Sequence, residues 1–375
     1  MIVMRETVMQ VRGTLPENGA ATQILSIGFE LLRRGYRVEF VSGGGTIAEQ
    51  IAESGGSHTT IEALASRSIP SIIRSIIHLR RFILRNDINI VHAHNSASLL
   101  LCAMAGLLAG RFRIMKFFLS VHGVEVRRFF WFRNMIFPIS QFANFFPVSE
   151  YTAFLLSSFG VRRSKMHVTY NGIDLERFDL EKKKEFRREI VAELGIDEDS
   201  LIIGLVGRQH GYKGHRDAIR VFSRLYPDFT NLHLVLVGAG DEERSNQELA
   251  EHLGVADRVR FMGFRTDVER FHASFDVLSL FSRSGYEMFP CSLLEGMAFA
   301  VPFVSVKTTG VPELASDGQG IICECSDLGC YEDSLRMLLI STSERERMGK
   351  IGLHAMRTRF NIGAVVDVIE EVYIN

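Results

Sequence analysis

Long apolar runs, low-complexity tracts, internal repeats and coiled-coil heptads are all missing from this 375-residue chain, and each absence closes a class of function. The longest weakly polar stretch, Ser96 to Gly110, is too short and too rich in alanine and glycine to cross a bilayer, and reads as a buried helix. Near the first residues the order of basic and apolar groups is wrong for a secretory leader, so a cytoplasmic location is expected. Cysteines number five, an odd count that argues against a disulfide framework and for a reducing compartment. Cys323, Cys325 and Cys330 lie close together but lack the paired spacing and neighbouring histidine of a zinc site. The one Asp-x-Asp, at Asp197 and Asp199, falls in a polar connector and reads as turn residues, so no metal is expected.

What is present is an ordinary globular composition, 46% hydrophobic and 23% charged, sufficient for two cores. Apolar β-branched runs at Tyr36 to Val41, Ile88 to Val91, Ile202 to Val206 and Leu232 to Val237 each lead into a polar or glycine-bearing turn and then a helical pattern. That alternation predicts two parallel α/β sheets, with ligands outside the carboxyl ends of the strands.

A formal net charge of -1 conceals two unlike halves. Residues 1–170 hold 19 Lys+Arg against 10 Asp+Glu, and residues 171–375 hold 24 against 34. The basic excess lies between Arg67 and Arg133, where the only acids are Asp87 and Glu125. On a helix, Arg67, Arg74, His78, Arg81 and Arg85 fall on one stripe, with Ile69, Ile72, Ile76, Leu79 and Ile83 facing the other way. An ordinary surface helix would look like this. Phe112, Phe117, Phe118, Phe129, Phe130, Trp131 and Phe132, interleaved with arginines and Lys116, add a second reading, an anionic membrane surface. No nucleic-acid-binding motif accompanies the charge, and nucleic acid is not expected as a partner.

The most informative segment is Ser282 to Glu313. It places Glu287 in a loop and Glu295 eight residues on, behind a helix start at Pro290 and Ser292 and about two turns down that helix. Helix N–H groups suit phosphate, and carboxylates accept hydrogen bonds from sugar hydroxyls. The segment resembles the Glu-x7-Glu signature of retaining, nucleotide-sugar-dependent glycosyltransferases of the family-4 (group 1) type. Further segments resemble that family in its order: Pro16 to Arg37, VHAHN (Val91 to Asn95), SVHG (Ser120 to Gly123), FPVSEYT (Phe146 to Thr152), VTYNGIDLERF (Val168 to Phe178), GLVGRQHGYKG (Gly204 to Gly214), LVLVGAGDE (Leu234 to Glu242) and VRFMGF (Val259 to Phe264).

The resemblance implies the α/β GT-B fold, two Rossmann-like domains with parallel sheets facing across a cleft. Residues 1–170 would form the acceptor-binding domain, joined by a helix over residues 359–375 that crosses back, and residues 171–358 the donor-binding domain. It implies that Arg208 and Lys213, after Gly207, neutralise the donor diphosphate, that Glu295 binds the ribose, and that Glu287 contacts the transferred sugar with help from the backbone N–H groups of Met288 and Phe289. Phe264 and Arg265 would meet the nucleobase through their backbone, and Gly19 would let the first loop approach the donor. His122 would polarise a sugar hydroxyl or position the acceptor, with His94 and Asn95 on the acceptor side. With cations supplied by the protein, no cofactor or metal is needed beyond the nucleoside diphosphate sugar. The acceptor would be a glycan or lipid-linked molecule, in polysaccharide, lipopolysaccharide or glycolipid synthesis, with the enzyme peripheral on the cytoplasmic membrane face.

Four departures from the pattern add side chains at tight backbone positions: Met288 in place of the usual glycine after Glu287, Ala300 before Val301-Pro302, Thr309 for the first glycine of a usual pair, and Ala20 after Gly19. They keep open a non-catalytic sugar-nucleotide-binding protein, and an epimerase of the same fold is the other alternative.

Overall fold

In the computed structural model the described residues are 6–16, 19–123, 129–283, 285, 287–324 and 327–375; for Glu49, Ala52, Glu53 and residues 129–133 only the backbone is described. The chain divides into two compact units, one ending at Gly172 but regaining Ile362–Asn375, the other Ile173–Asn361.

The first unit is built on six parallel strands, β1 (Thr7–Val11), β2 (Arg37–Ser42), β3 (Ser57–Thr60), β4 (Ile90–Ala93), β5 (Lys116–Val121) and β6 (Asn144–Pro147), in the order β3-β2-β1-β4-β5-β6. Both faces are covered by helices, which is why the strands read as nearly continuous apolar runs. The order reverses between β1 and β4, opening a crevice at their carboxyl ends. Val8, Val38, Phe40, Ile90, Phe118 and Phe146 form a core with the Gly19–Arg33 and Ile362–Ile374 helices. The terminal helix is fastened through Arg34, which binds Asp367 at 2.7 Å, Glu370 at 2.9 Å and the Gly363 carbonyl at 2.8 Å. Buried Gln23 clamps both backbone groups of Gly172, at 2.8 and 2.9 Å.

The second unit repeats the plan with β7 (Leu201–Val206), β8 (Leu232–Val237), β9 (Val259–Phe261), β10 (Val277–Leu280), β11 (Phe303–Val306) and β12 (Gly320–Cys323), in the order β12-β11-β10-β7-β8-β9. Its reversal falls between β7 and β10. Leu205, Phe222, Leu234, Val304 and Leu335 lie at its core, where Phe281 stacks on Tyr331 at 3.9 Å.

Four expectations are corrected here. Cys323 and Cys330 form a disulfide, because Cys323 ends β12 and Cys330 begins the returning Leu328–Ile340 helix, bringing their Cα atoms to 5.8 Å. Cys325 lies outside the described residues. On the Ile69–Asn86 helix, Ile76, Leu79 and Ile83 are buried and the basic stripe is exposed, but Ile69 points outward, being the first helical residue and 75% exposed. Phe117 and Phe118 alternate into the two buried faces of β5, and Phe112 packs on Phe117 and Phe142 at 5.1 and 5.5 Å, so these rings do not join the basic surface. Arg127 and Arg128 lie outside the described residues, as do the side chains of Phe129 to Arg133. The Ser96–Leu108 helix buries Leu99, Cys102 and Ala105 but exposes Met104, Leu107 and Leu108. Among the described residues no helix is long and apolar enough to cross a membrane.

Candidate active site

In the second unit the candidate residues gather around the β7/β10 reversal. The β7 strand runs into the Gly207 to Gly214 loop, which ends at the His215–Leu225 helix. Gly214 has φ 75°, and a Cβ there would meet the Phe281 carbonyl oxygen at 2.1 Å, so only glycine lets the loop turn into the helix against the β10 end. Gln209 locks the loop from below. Fully buried, it donates to the Gly238 carbonyl at 2.9 Å and accepts from Asn246 at 2.9 Å. Arg208 stays exposed and has no ion-pair partner among the described residues. Lys213 instead reaches the loop after β10 and binds Glu287. Gly207 has no close neighbour where a Cβ would stand, so its requirement is not steric.

Glu287 is nearly buried, and its Oε1 also accepts from Ser282 at 2.7 Å. The Thr309 hydroxyl donates to the Glu287 carbonyl, and Gly285 N–H donates to Thr308 at 3.0 Å, so two adjacent threonines hold both ends of this loop. Thr309 and Ala300 have φ of 38° and 55°, the left-handed region where glycine is cheapest. The loop then enters the Cys291–Ala298 helix, behind the buried side chains of Met288 and Phe289. Glu295 therefore sits about one turn into an eight-residue helix, not two, since the loop takes up the residues from Glu287 to Pro290. Its Oε2 pairs with Nε2 of fully buried His272 at 3.0 Å. Burial, with Lys213 second, holds His215 down at about 4, so it is neutral under the loop.

Arg265 has its side chain tied elsewhere, to Glu193 at 2.7 Å and Asp267 at 2.8 Å and over the Phe271 ring, leaving only its backbone for a ligand. Phe264 is exposed.

The first unit carries a buried polar chain at its β1/β4 reversal. His94 Nε2–H donates to Gln10 Oε1 at 2.6 Å, so its Nδ1 must accept, from His122 Nε2–H at 2.9 Å. His92 follows the same logic: Tyr373 OH donates to Nδ1 at 2.6 Å, and Nε2–H donates to Ser120 at 2.7 Å. Burial holds His92 at about 3, with His122 adding to it; burial and the nearby Arg12 charge hold His122 at about 3; and burial depresses His94 further. All three are neutral hydrogen-bonding groups. The His122 Nε2–H that could have polarised a sugar hydroxyl is given to His94. Asn95 caps the Ser96–Leu108 helix, accepting from Ser98 N–H at 2.8 Å. Gly19 is not in a loop but is the first residue of its helix, because the helical pattern begins one residue before the apolar face.

Two family models divide the chain between them: glycosyl transferases group 1 over residues 186–354 and glycosyltransferase family 4 over residues 17–177. The chain belongs to the group 1, family-4-type glycosyltransferases. Among curated relatives, the chain is 27% identical over 212 residues to N-acetyl-alpha-D-glucosaminyl L-malate synthase of Bacillus anthracis, covering 56% of the chain and 53% of the relative. It is 28% identical over 177 residues to the lipopolysaccharide core biosynthesis glycosyltransferase LpsE of Rhizobium meliloti, covering 47% and 50%. The chain thus spans about half the length of the curated relatives it matches. Anabaena Alr3699/HepE in complex with UDP and glucose superposes with a TM-score of 0.81 at 16% identity, covering 99% of each chain. A glycosyltransferase from Rickettsia africae gives 0.82 at 17%, covering 98% of each. These likenesses and the two six-stranded parallel sheets establish the GT-B fold.

Residue reading missed Gln209, Ser282, His272 and Gln10, each of which holds a candidate group in place. Gln209, His272 and Gln10 carry no spacing signal, since their partners are distant in sequence, whereas Ser282 lies five residues before Glu287 in the same loop. Thr309 was visible only as a departure, and its bond to the Glu287 loop gives that departure a physical purpose.

Proposed function

We propose that this glycosyltransferase moves a hexose from a nucleoside diphosphate sugar, with retention of anomeric configuration, to a glycan or lipid-linked acceptor in cell-surface polysaccharide, lipopolysaccharide or glycolipid synthesis. The observation that carries the reading is the Lys213–Glu287 pair across the β7/β10 reversal, which joins the phosphate-loop cation to the first acid of the Glu-x7-Glu segment. Lys213 has three N–H groups, so it can hold Glu287 and a diphosphate together. Arg208, exposed in the same loop, supplies the second cation as negative charge develops on the leaving group. No metal enters this scheme. Glu295, steadied by His272, accepts from the ribose hydroxyls, and Glu287, already bonded to Lys213 and Ser282, accepts from sugar hydroxyls rather than attacking the anomeric carbon. Retention follows from attack on the donor's leaving-group face within an ion pair. His94 and His122 line the acceptor side as a neutral, rigid pair. Support comes from a relative named for lipopolysaccharide core synthesis and a fold neighbour that holds UDP and glucose.

The test is transfer of radiolabelled sugar from a panel of nucleotide sugars to a membrane lipid extract, with Lys213→Ala alongside. Transfer that this variant loses supports the proposal. Conversion of the nucleotide sugar without acceptor favours an epimerase, and binding without turnover favours a non-catalytic protein.

A further inference from the structure

A cavity of about 540 Å³ opens in the first unit beyond the carboxyl end of β3, and the donor chemistry makes no use of it. Thr60 ends β3, and Ile61, Glu62 and Ala63 carry the chain along the cavity wall into the short Glu62–Ala65 helical turn. Across from them stands the Ile69–Asn86 helix. At about 100° per residue its Ser71, Arg74 and His78 share one arc, and all three line the cavity. Fully buried Ser75 borders that arc, and its Oγ has no hydrogen-bond partner among the described residues. The exposed apolar stripe of this helix, Ile69, Ile73, Ile77 and Leu84, lies on another side and does not line the cavity. The helical turn that walls the cavity also packs on the strand ends of the β1/β4 reversal. A Cβ on Gly13 would stand 3.3 Å from the Leu64 carbonyl and 3.4 Å from the Asn95 amide, and one on Gly43 would meet the Gly13 carbonyl at 2.5 Å and Ala65 N at 2.7 Å. Two strand spacings, about 10 Å, separate β1 from β3, so the cavity is within reach of a short chain of sugars that begins at the reversal.

The chemistry of this lining is unspent. Arg74 and Glu62 border one cavity without pairing with each other, and neither has an ion pair or a side-chain hydrogen bond among the described residues. The side chains of Thr60 and His78 make none either. One solvated arginine is ordinary surface, but here a guanidinium, a carboxylate, a hydroxyl and an imidazole converge on a single concave space with Ile61 and Ala63 as its aliphatic wall. Such a mixture suits a sugar ring, whose hydroxyls donate to a carboxylate and whose C–H face rests on aliphatic groups, and the volume is that of an ordinary ligand site. Between Arg67 and Asn86 the chain has five arginines and no acid, so the field at the cavity favours an anionic group. We infer that the cavity holds a second sugar unit of the acceptor, one that bears a carboxylate or phosphate, with Arg74 taking the anionic group and Glu62 and Thr60 the hydroxyls. This deepens the proposed glycan acceptor and rests on that reading.

The experiment is saturation-transfer NMR on the full chain with methyl glucuronide, glucose 6-phosphate, neutral methyl glucoside and inorganic phosphate. Arg74→Gln and Glu62→Gln, both at exposed positions, are run beside it, each checked by thermal unfolding and by the thermal shift with nucleoside diphosphates. One of the acidic sugars is expected to bind about tenfold tighter than the glucoside, and whether it is the glucuronide or the phosphate identifies the anionic group. Arg74→Gln should remove that advantage, Glu62→Gln should weaken every sugar, and both should keep the nucleotide shift. Equal binding of the neutral and acidic sugars would overturn the inference, as would acidic-sugar binding that both variants keep. Inorganic phosphate that binds as tightly as glucose 6-phosphate would reduce the cavity to an ion site and overturn it too. A nucleotide shift without any sugar binding overturns this inference and leaves the donor site standing, whereas the expected sugar binding without a nucleotide shift supports the cavity and overturns the donor reading alone.

Discussion

The buried histidines of the first unit make its stability depend on pH in a direction that can be worked out. His92 and His122 are held at about 3, whereas an unfolded histidine titrates near 6.5. The folded value lies below the unfolded one, so the stability is fully present above pH 6.5 and is lost as pH falls toward 3, because the unfolded chain takes up the protons first. Between pH 7.5 and 5.5 each such histidine costs about 1.4 kcal/mol of stability, or about 3 kcal/mol for the two, with His94 acting in the same direction. That is a sizeable part of an ordinary domain's stability. Urea unfolding at the two pH values measures it, followed by the emission of the single tryptophan, Trp131, which belongs to the first unit. His92→Gln should lower stability at pH 7.5 while shrinking the pH-dependent loss by about 1.4 kcal/mol. Equal stability at both pH values in the parent chain, or an unchanged loss in the variant, would refute the reasoning.

Three further outcomes are expected. Gly214→Ala combines a left-handed backbone with a Cβ in contact with the Phe281 carbonyl, so thermal unfolding should show about 3 kcal/mol of destabilisation or failure to fold. Glu287→Gln keeps the Ser282 bond but weakens the hold on Lys213; steady-state transfer should fall by about a hundredfold in kcat while nucleoside diphosphate affinity stays within about threefold. Thr309→Val keeps the strained backbone and orphans the Glu287 carbonyl, which should cost about 1–3 kcal/mol in denaturant unfolding, and Thr309→Ser should recover most of it.

Legibility in the sequence followed range of interaction. Strand runs such as Leu232 to Val237 coincide with an observed strand because both faces of these sheets are covered, so burial is written continuously along the chain. Arg208, Lys213, Glu287 and Glu295 could be picked out because each stands in a short segment that resembles the family's pattern. Their supports could not. Gln209 with Asn246, Glu295 with His272, and the path from Gln10 to His122 all join residues distant in sequence, from separate strands, helices and loops, which only the folded units bring together. The amphipathic helix misled in part, because a two-face reading leaves no place for an exposed apolar stripe beside a cationic one. The disulfide was missed for a similar reason: an odd cysteine count says nothing of one strand end meeting the helix that returns over it.

The central claim is that the β7/β10 crevice binds a nucleoside diphosphate through Arg208 and Lys213. A thermal-shift panel of uridine, guanosine, adenosine, cytidine and thymidine diphosphates tests it directly, run beside Arg208→Ala and Glu295→Ala. Ligand at about 100 times its dissociation constant adds about 2.7 kcal/mol to the folded state. The account predicts that one nucleotide stabilises the parent chain and that the shift falls in both variants; a folded chain that no nucleotide stabilises, or a shift that both variants keep, would contradict it.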